Sequence, residues 1–249
     1  MTTTGTALSF KNDTIDLMTG DLGPDLPGGN AARTLELWAR FSGQGSWLAE
    51  HTIVELGRRT SGPNQVFGID MAGRDAALGR FDPYTNGLGD NDPTPLMLGL
   101  DGWHHLAWAY DGMGHFQFVV DGVKAALPRP GDGSGTLQTT QGIVTLGGSQ
   151  SFGLEGWEGA LDELRLWTIF RSEAEISRDM KVKLGGDEPG LVAYYDFDEG
   201  SGMTANDVAK RPGHKLAFCT NNGGPCPSNN NAAPQWVPSD IPGPFSCRP

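Results

Sequence analysis

The stretch GWHHLAWAYDGMGHFQFVVDGVKAA, residues 102–126, decides the fold. Trp103, His105, Ala107 and Ala109 alternate with His104, Leu106, Trp108 and Tyr110. Successive residues of a strand point to opposite faces, so this aromatic-rich alternation reads as a β-strand. Asp111-Gly112 and Met113-Gly114 break the run, and His115 to Val120 follows as a second strand. Asp121-Gly122 is a two-residue turn of the kind that needs positive φ, and Val123 to Ala126 returns as a third strand. The stretch is an antiparallel meander. Its alternation sends His104 and His105 to opposite faces, so they cannot chelate one metal together. His51 and His115 have no partners at ligand spacing, and a zinc site needs three or four ligands.

Outward from the meander, the chain reads as more strands and tight turns. Ala7–Phe10 and Thr14–Leu17 flank a Lys11-Asn12-Asp13 turn. In Thr34–Phe41, Leu35, Leu37, Ala39 and Phe41 share one face, with Glu36, Trp38 and Arg40 on the other. Apolar groups on both faces place this strand inside a sandwich. His51–Gly57, Val66–Asp70, Ile143–Leu146 and Leu191–Phe197 are further strands. Ala160–Trp167 is another, with Leu161, Glu163, Arg165 and Trp167 expected on one side. Residues 81–95, FDPYTNGLGDNDPTP, read as an acidic surface loop. Ser172 and Glu175 form a capping box, and Ile176, Met180 and Leu184 follow at helical spacing before Gly185-Gly186. One helix of about three turns is expected. Residues 1–218 read as one domain and 219–249 as an Asn/Pro/Cys-containing tail, in which only Gln235–Val237 looks ordered.

Composition narrows the function classes. The 249 residues include 37 glycines and 17 prolines, which suits an all-β fold with frequent turns. The net charge of −12 and the absence of a basic run exclude a nucleic-acid partner, which needs a positive footprint. A neutral glycan or a divalent cation suits an acidic surface better. No stretch approaches the ~20 apolar residues of a membrane-spanning helix. The N-terminus lacks the charged and apolar regions of a signal peptide. Cys219, Cys226 and Cys247 allow at most one bridge within the chain. The short loop between Cys219 and Cys226 favours that pair, with free thiols the alternative.

Four stretches together resemble a laminin-G-like jelly roll of the concanavalin-lectin type. They are ALSFKNDTIDL near the start, TLELWARF, the meander, and LDELRLWTIFRSEAEI, in that order across residues 7–184. GLVAYYDFDEGSG also recurs in this family and is expected to add a strand to the same sandwich. The resemblance implies an antiparallel two-sheet jelly-roll sandwich with one short helix and a C-terminal extension. It is specific for the fold and not for a ligand. It also implies a structural calcium ion at the sheet rim, held by Asn12 or Asp13 with Asp162 and backbone carbonyls. The alternative is that Asp13 caps a turn and that Asp162 or Glu163 pairs with Arg165 or another arginine.

For ligand binding, the stretch holding Asp82, Tyr84, Asn86, Asp90, Asn91 and Asp92 is the best candidate, with Trp47 and Trp157 as further platforms. A glycan site needs an aromatic surface for the sugar's C–H face and Asp or Asn groups for its hydroxyls. A solvated acidic loop with core tryptophans is the competing reading. For catalysis, Asp196 and Asp198 sit at alternate positions with Glu199 beside them, as a retaining glycosidase pair would. The Glu-x-Asp-x-x-Glu pattern of related glucanases and the motifs of jelly-roll lyases are absent, and no catalytic residue is assigned. The expectation is a non-catalytic module for a carbohydrate or a glycosylated partner, extracellular or at the cell surface, with the cytoplasm and the oligomeric state left open. A structural protein-binding module and a glycoside hydrolase or lyase are the alternatives.

Overall fold

Within the meander, His104–Tyr110 pairs with Phe116–Val120, and that strand pairs with Val123–Lys124 across the Asp121-Gly122 turn. Both turn residues have positive φ, 51° and 80°. The computed structural model describes residues 5–11, 16–42, 50–58, 62–75, 78–85, 97–99, 102–125, 136–140, 142–149, 156–209, 211–219, 233–242 and 245–247. The Arg33–Phe41 strand pairs with the meander on one side and with Gly159–Trp167 on the other. The first sheet therefore runs Val123–Lys124, Phe116–Val120, His104–Tyr110, Arg33–Phe41, Gly159–Trp167, Thr6–Phe10 and Gln235–Pro238. Leu191–Tyr195 pairs with the second half of Gly159–Trp167, as a strand added to the same sandwich.

The second sheet runs Thr204–Asn206, Lys215–Phe218, Met18–Asp21, Ile143–Leu146, Glu50–Gly57, Val66–Asp75, Leu78–Tyr84 and Met97–Gly99. Every described pairing within the two sheets is antiparallel. The architecture is an all-β, two-sheet jelly-roll sandwich. Its core lies between the sheets: Leu35, Leu37, Leu106, Trp108 and Phe118 from one, Val54, Leu56, Phe67, Ile69 and Leu146 from the other. Trp108 stacks between Phe67 and Phe116, at 5.5 and 5.1 Å between ring centroids.

The outer face of the first sheet is buried as well. Ile176 of the helix packs on Ala107 and Val119. Trp38, Trp103 and Ala160 lie under Met180, Val237, Ile241 and Phe245. This explains why Arg33–Phe41 carries large groups on both faces. No helix among the described residues is long and apolar enough to cross a membrane.

Four expectations change. The helix spans Glu173–Asp179, with both halves of the capping box formed, and stops a turn early because Val182–Lys183 is drawn into a parallel pairing with Ser246–Cys247. Residues 81–84 belong to the strand Leu78–Tyr84. Met97–Gly99 covers only residues 78–80 of it, so Pro83 lies where a missing N–H is tolerated. Gln235–Pro238 pairs along Thr6–Ser9, so the segment after Cys219 completes the sandwich instead of hanging from it.

The fourth change is a bulge in Gly159–Trp167. Asp162 opposes Trp38 and Arg165 opposes Glu36, which leaves Glu163 as the extra residue, with φ 55°. Leu161, Leu164 and Leu166 therefore share the core, while Trp167 joins Leu191 and Tyr194 on the outside. Simple alternation, with Leu161 and Trp167 on one side, fails there. Cys219 is disulfide-bonded; Cys226 lies outside the described residues.

Candidate functional site

The outer face of the second sheet carries a polar row in continuous register. Val144, Leu146, Val54, Leu56, Phe67 and Ile69 face the core, so the residues between them face away. Thr19 opposes Thr145, Thr145 opposes Glu55, Glu55 opposes Gly68, and Gly68 opposes Tyr84. The next row is Thr52, Asp70 and Asp82. Asp82 and Tyr84, taken from the sequence as ligand residues, thus fall in register with carboxylates of two neighbouring strands.

Glu55 is fully buried, and its Oε2 accepts a hydrogen bond from Ser149 Oγ at 2.9 Å. Thr145 Oγ1 is buried with no hydrogen-bond partner. A buried hydroxyl without a partner is uncommon and marks a place where a polar ligand or water belongs. Glu55 and Asp70 were not singled out from the sequence. The available signal was a carboxylate in the middle of the apolar strand HTIVELG.

Of the other expected ligand residues, only Trp157 is among the described residues. Trp157 is fully buried in the core, 5.5 Å from the Phe41 ring, and so is corrected from a platform to a packing residue. Trp47, Asn86, Asp90, Asn91 and Asp92 lie outside the described residues.

The residues expected to hold calcium can be examined only at Asp162, since Asn12 and Asp13 also lie outside the described residues. Asp162 is 3% exposed. One of its oxygens accepts the Glu163 N–H at 2.8 Å and the other the Ser239 hydroxyl at 2.6 Å. Burial, then the charge of Glu163, raise its carboxyl well above the usual range. Both oxygens of this carboxylate are thus engaged by the fold. Among the described residues no group of three or more His, Cys, Asp or Glu side chains could hold a metal.

Asp196 and Asp198 are likewise occupied. The strand ends at Tyr195, and Phe197 takes a left-handed φ of 48°, so the two carboxylates leave strand geometry. Lys183 Nζ lies 2.9 Å from Asp198 and 3.9 Å from Asp196. It also lies 2.8 Å from Glu163, whose second oxygen accepts from Tyr194 OH at 2.6 Å and from Arg165 at 3.0 Å. Glu163 thus pairs with Arg165. These are bonds that hold segments together, with no open pair of carboxylates.

A second ionic cluster lies under the helix. Arg171 reaches Glu36 at 2.6 Å and also Asp179. His105 packs edge-on against Trp38 at 5.4 Å, its Nε2 3.5 Å from Glu36. Burial first, then Arg165 and Arg171, hold its imidazole well below the ordinary value. His104 turns the other way to Asp121, at 2.7 Å.

With this geometry in place, residues 12–177 match the family described as the concanavalin A-like lectin/glucanases superfamily. The chain belongs to that superfamily. No curated protein matches it in sequence. Among solved structures, the superfamily fold is shared with a proposed carbohydrate-binding protein from Bacteroides ovatus, at 18% identity and TM-score 0.62. That match covers 95% of this chain, which spans 60% of the other protein's length. A heptameric SAP-like pentraxin from Limulus polyphemus matches at 18% identity and TM-score 0.53, covering 70% of this chain and 81% of that one. Tailspike protein 2 of a bacteriophage of Escherichia coli O157:H7 matches at 16% identity and TM-score 0.53, covering 76% of this chain and 26% of its own. Identities this low establish the lectin/glucanase fold alone. Lectins and glucanases share it, so membership does not separate binding from hydrolysis.

Proposed function

We propose that this chain is a non-catalytic carbohydrate-recognition module, binding a glycan or a glycosylated partner where Leu78–Tyr84 meets Val66–Asp75. The observation that carries the reading is the register of Tyr84 with Gly68 and of Asp82 with Asp70, beside Glu55. An aromatic residue opposite a glycine, in register with acidic residues, is a composition that suits a sugar subsite. The buried, unpartnered Thr145 hydroxyl in the same row supports it, as does the fold shared with a proposed carbohydrate-binding protein. The bonded Cys219 supports an extracellular placement, where disulfides persist. A glycan array run with and without chelator tests the reading: binding that Tyr84→Ala abolishes while the melting temperature holds is expected, and no binding under any condition sinks it.

A calcium-stabilised form of this module would need Asp162 to release Ser239 and join Asn12 or Asp13. A melting temperature that rises with calcium and loses that rise in Asp162→Ala is what calcium stabilisation predicts; an unchanged melting temperature removes it.

A second reading has one observation in its favour. Asp70 and Asp82 are directly opposed, and Cβ atoms of opposed residues lie about 4.5–5.5 Å apart. Opposed residues are close enough to bring two carboxylates together, as retaining glycosidases do. Release of reducing sugar from a glycan the array identifies, abolished by Asp70→Asn, would replace the binding reading with a hydrolytic one.

A further inference from the structure

We infer that the sandwich holds a small monovalent anion beside Arg33, at the end of the first sheet remote from Lys183. Arg33 opens the Arg33–Phe41 strand and is fully buried. Taking a guanidinium out of water is expensive unless a counter-charge accompanies it. The other fully buried arginine obeys this rule: Arg165 has Glu163 at 3.0 Å. The nearly buried Arg171 has Glu36 at 2.6 Å. Arg33 has no acidic partner among the described residues.

What Arg33 does have is carbonyl oxygens. Its Nε donates to Ala31 O at 3.0 Å, and its Nη2 to Ala31 O and Gly29 O, both at 2.8 Å, and to Gly28 O at 3.4 Å. The Phe67 ring covers it at 5.6 Å. These contacts supply partial charges, and no carboxylate among the described residues compensates the unit charge. Nη1, with its two N–H groups, has no hydrogen-bond partner. Neither does Thr139 Oγ1, on a residue 3% exposed.

Both residues bond to Gly29, each to a different one of its backbone groups. Gly29 O accepts from Arg33 Nη2, and Gly29 N donates to Thr139 O at 2.9 Å. Two N–H groups on a buried positive charge with no acidic partner among the described residues are what an anion satisfies and a cation does not. A single excess charge selects a monovalent ion, with chloride the simplest. Burial pulls the guanidinium down to about 10, against an opposing effect of Tyr110; a bound anion would raise it. Gly29 and Ala31, whose carbonyls hold Arg33, are themselves exposed.

The test compares melting temperatures in sodium chloride and sodium gluconate at equal ionic strength. A saturable rise with chloride, about 3–5 °C at ten times its dissociation constant, is expected. Crystals soaked in bromide should show an anomalous peak within hydrogen-bond reach of Arg33 Nη1. Arg33→Met should lose the chloride dependence. If that variant does not fold, the wild-type salt comparison and the bromide peak decide together. Equal melting temperatures in the two salts, or a bromide peak only elsewhere, overturn the inference and leave Arg33 as a clamp on the Gly28–Ala31 carbonyls.

Discussion

Lys183 Nζ lies 2.8 Å from Glu163 Oε1, and this ion pair fastens the bulge of the closing strand to the segment after the helix. Burial alone would lower the lysine's pKa, yet the charge and hydrogen bond of Glu163, with Asp198, raise it. The ammonium therefore stays charged, at the point where Asp196, Asp198 and Glu163 meet. Asp198 in turn accepts the Thr6 N–H at 2.8 Å, which ties the N-terminal strand into the same knot.

Lys183→Met should lower stability by about 2–3 kcal/mol. That is below the ~3–5 kcal/mol of a fully buried pair, since Lys183 remains 32% exposed while Glu163 does not. Urea unfolding measures it. Pairing the change with Glu163→Gln in a double-mutant cycle should recover a coupling above about 0.5 kcal/mol, and additive effects would refute the knot.

His105 makes stability depend on pH in a definite direction. Its folded pKa lies well below 6.5, so below pH 6.5 the unfolded chain binds a proton that the folded chain refuses. Stability is then lost as pH falls through 6.5, by up to about 1.4 kcal/mol per pH unit. Asp162 works oppositely: its raised folded pKa favours the folded state as acid is added, until the unfolded group protonates near 3.8. His105→Gln should flatten the loss below pH 6.5 and Asp162→Asn should steepen it. Unfolding curves across pH 4–7 check both, and unchanged slopes would show the two groups to be uncoupled from folding.

Trp157 and Tyr84 separate packing from binding. Trp157→Ala removes a fully buried ring and should cost about 3–5 kcal/mol. Tyr84→Ala, at the open end of its strand, should leave the melting temperature within a few degrees and reduce glycan affinity at least tenfold. Calorimetric melting and glycan titration on the two variants would expose a reversed assignment.

Ending the chain at Cys219 should destabilise it by at least about 3 kcal/mol, the scale of losing one large core side chain. The truncation strips the partner from Thr6–Ser9 and uncovers Trp38 and Trp103. Asp240, which accepts from Arg40 at 2.6 Å and from the Trp103 indole at 2.7 Å, goes with it. Increased binding of a hydrophobic dye, together with a lower melting temperature, is the expected readout. Unaltered melting would make the segment a passive tail after all.

Much of the fold is legible in local pattern. The alternation through Trp103–Tyr110, the Asp121-Gly122 turn and the Ser172/Glu175 capping box each depend on neighbours a few residues away, and each forms as read. The candidate site was half legible. Asp82 and Tyr84 stood out by residue type, but a proline among them suggested a loop. Glu55 and Asp70 were passed over because their significance lies in the strands they face.

The sequence by itself determined that this chain is an antiparallel sandwich and which side chains fill its middle, because strand period and turn chemistry are written in adjacent residues. The tertiary structure alone decided that Glu163 bulges, that Gln235–Pro238 returns to the first strand, that Lys183 occupies the carboxylates offered for catalysis, and that Arg33 is buried with no acidic partner among the described residues. Each of these depends on partners brought together from distant parts of the chain. Such pairings are set by register and by the competition of charges for one another, and neither is visible in local spacing.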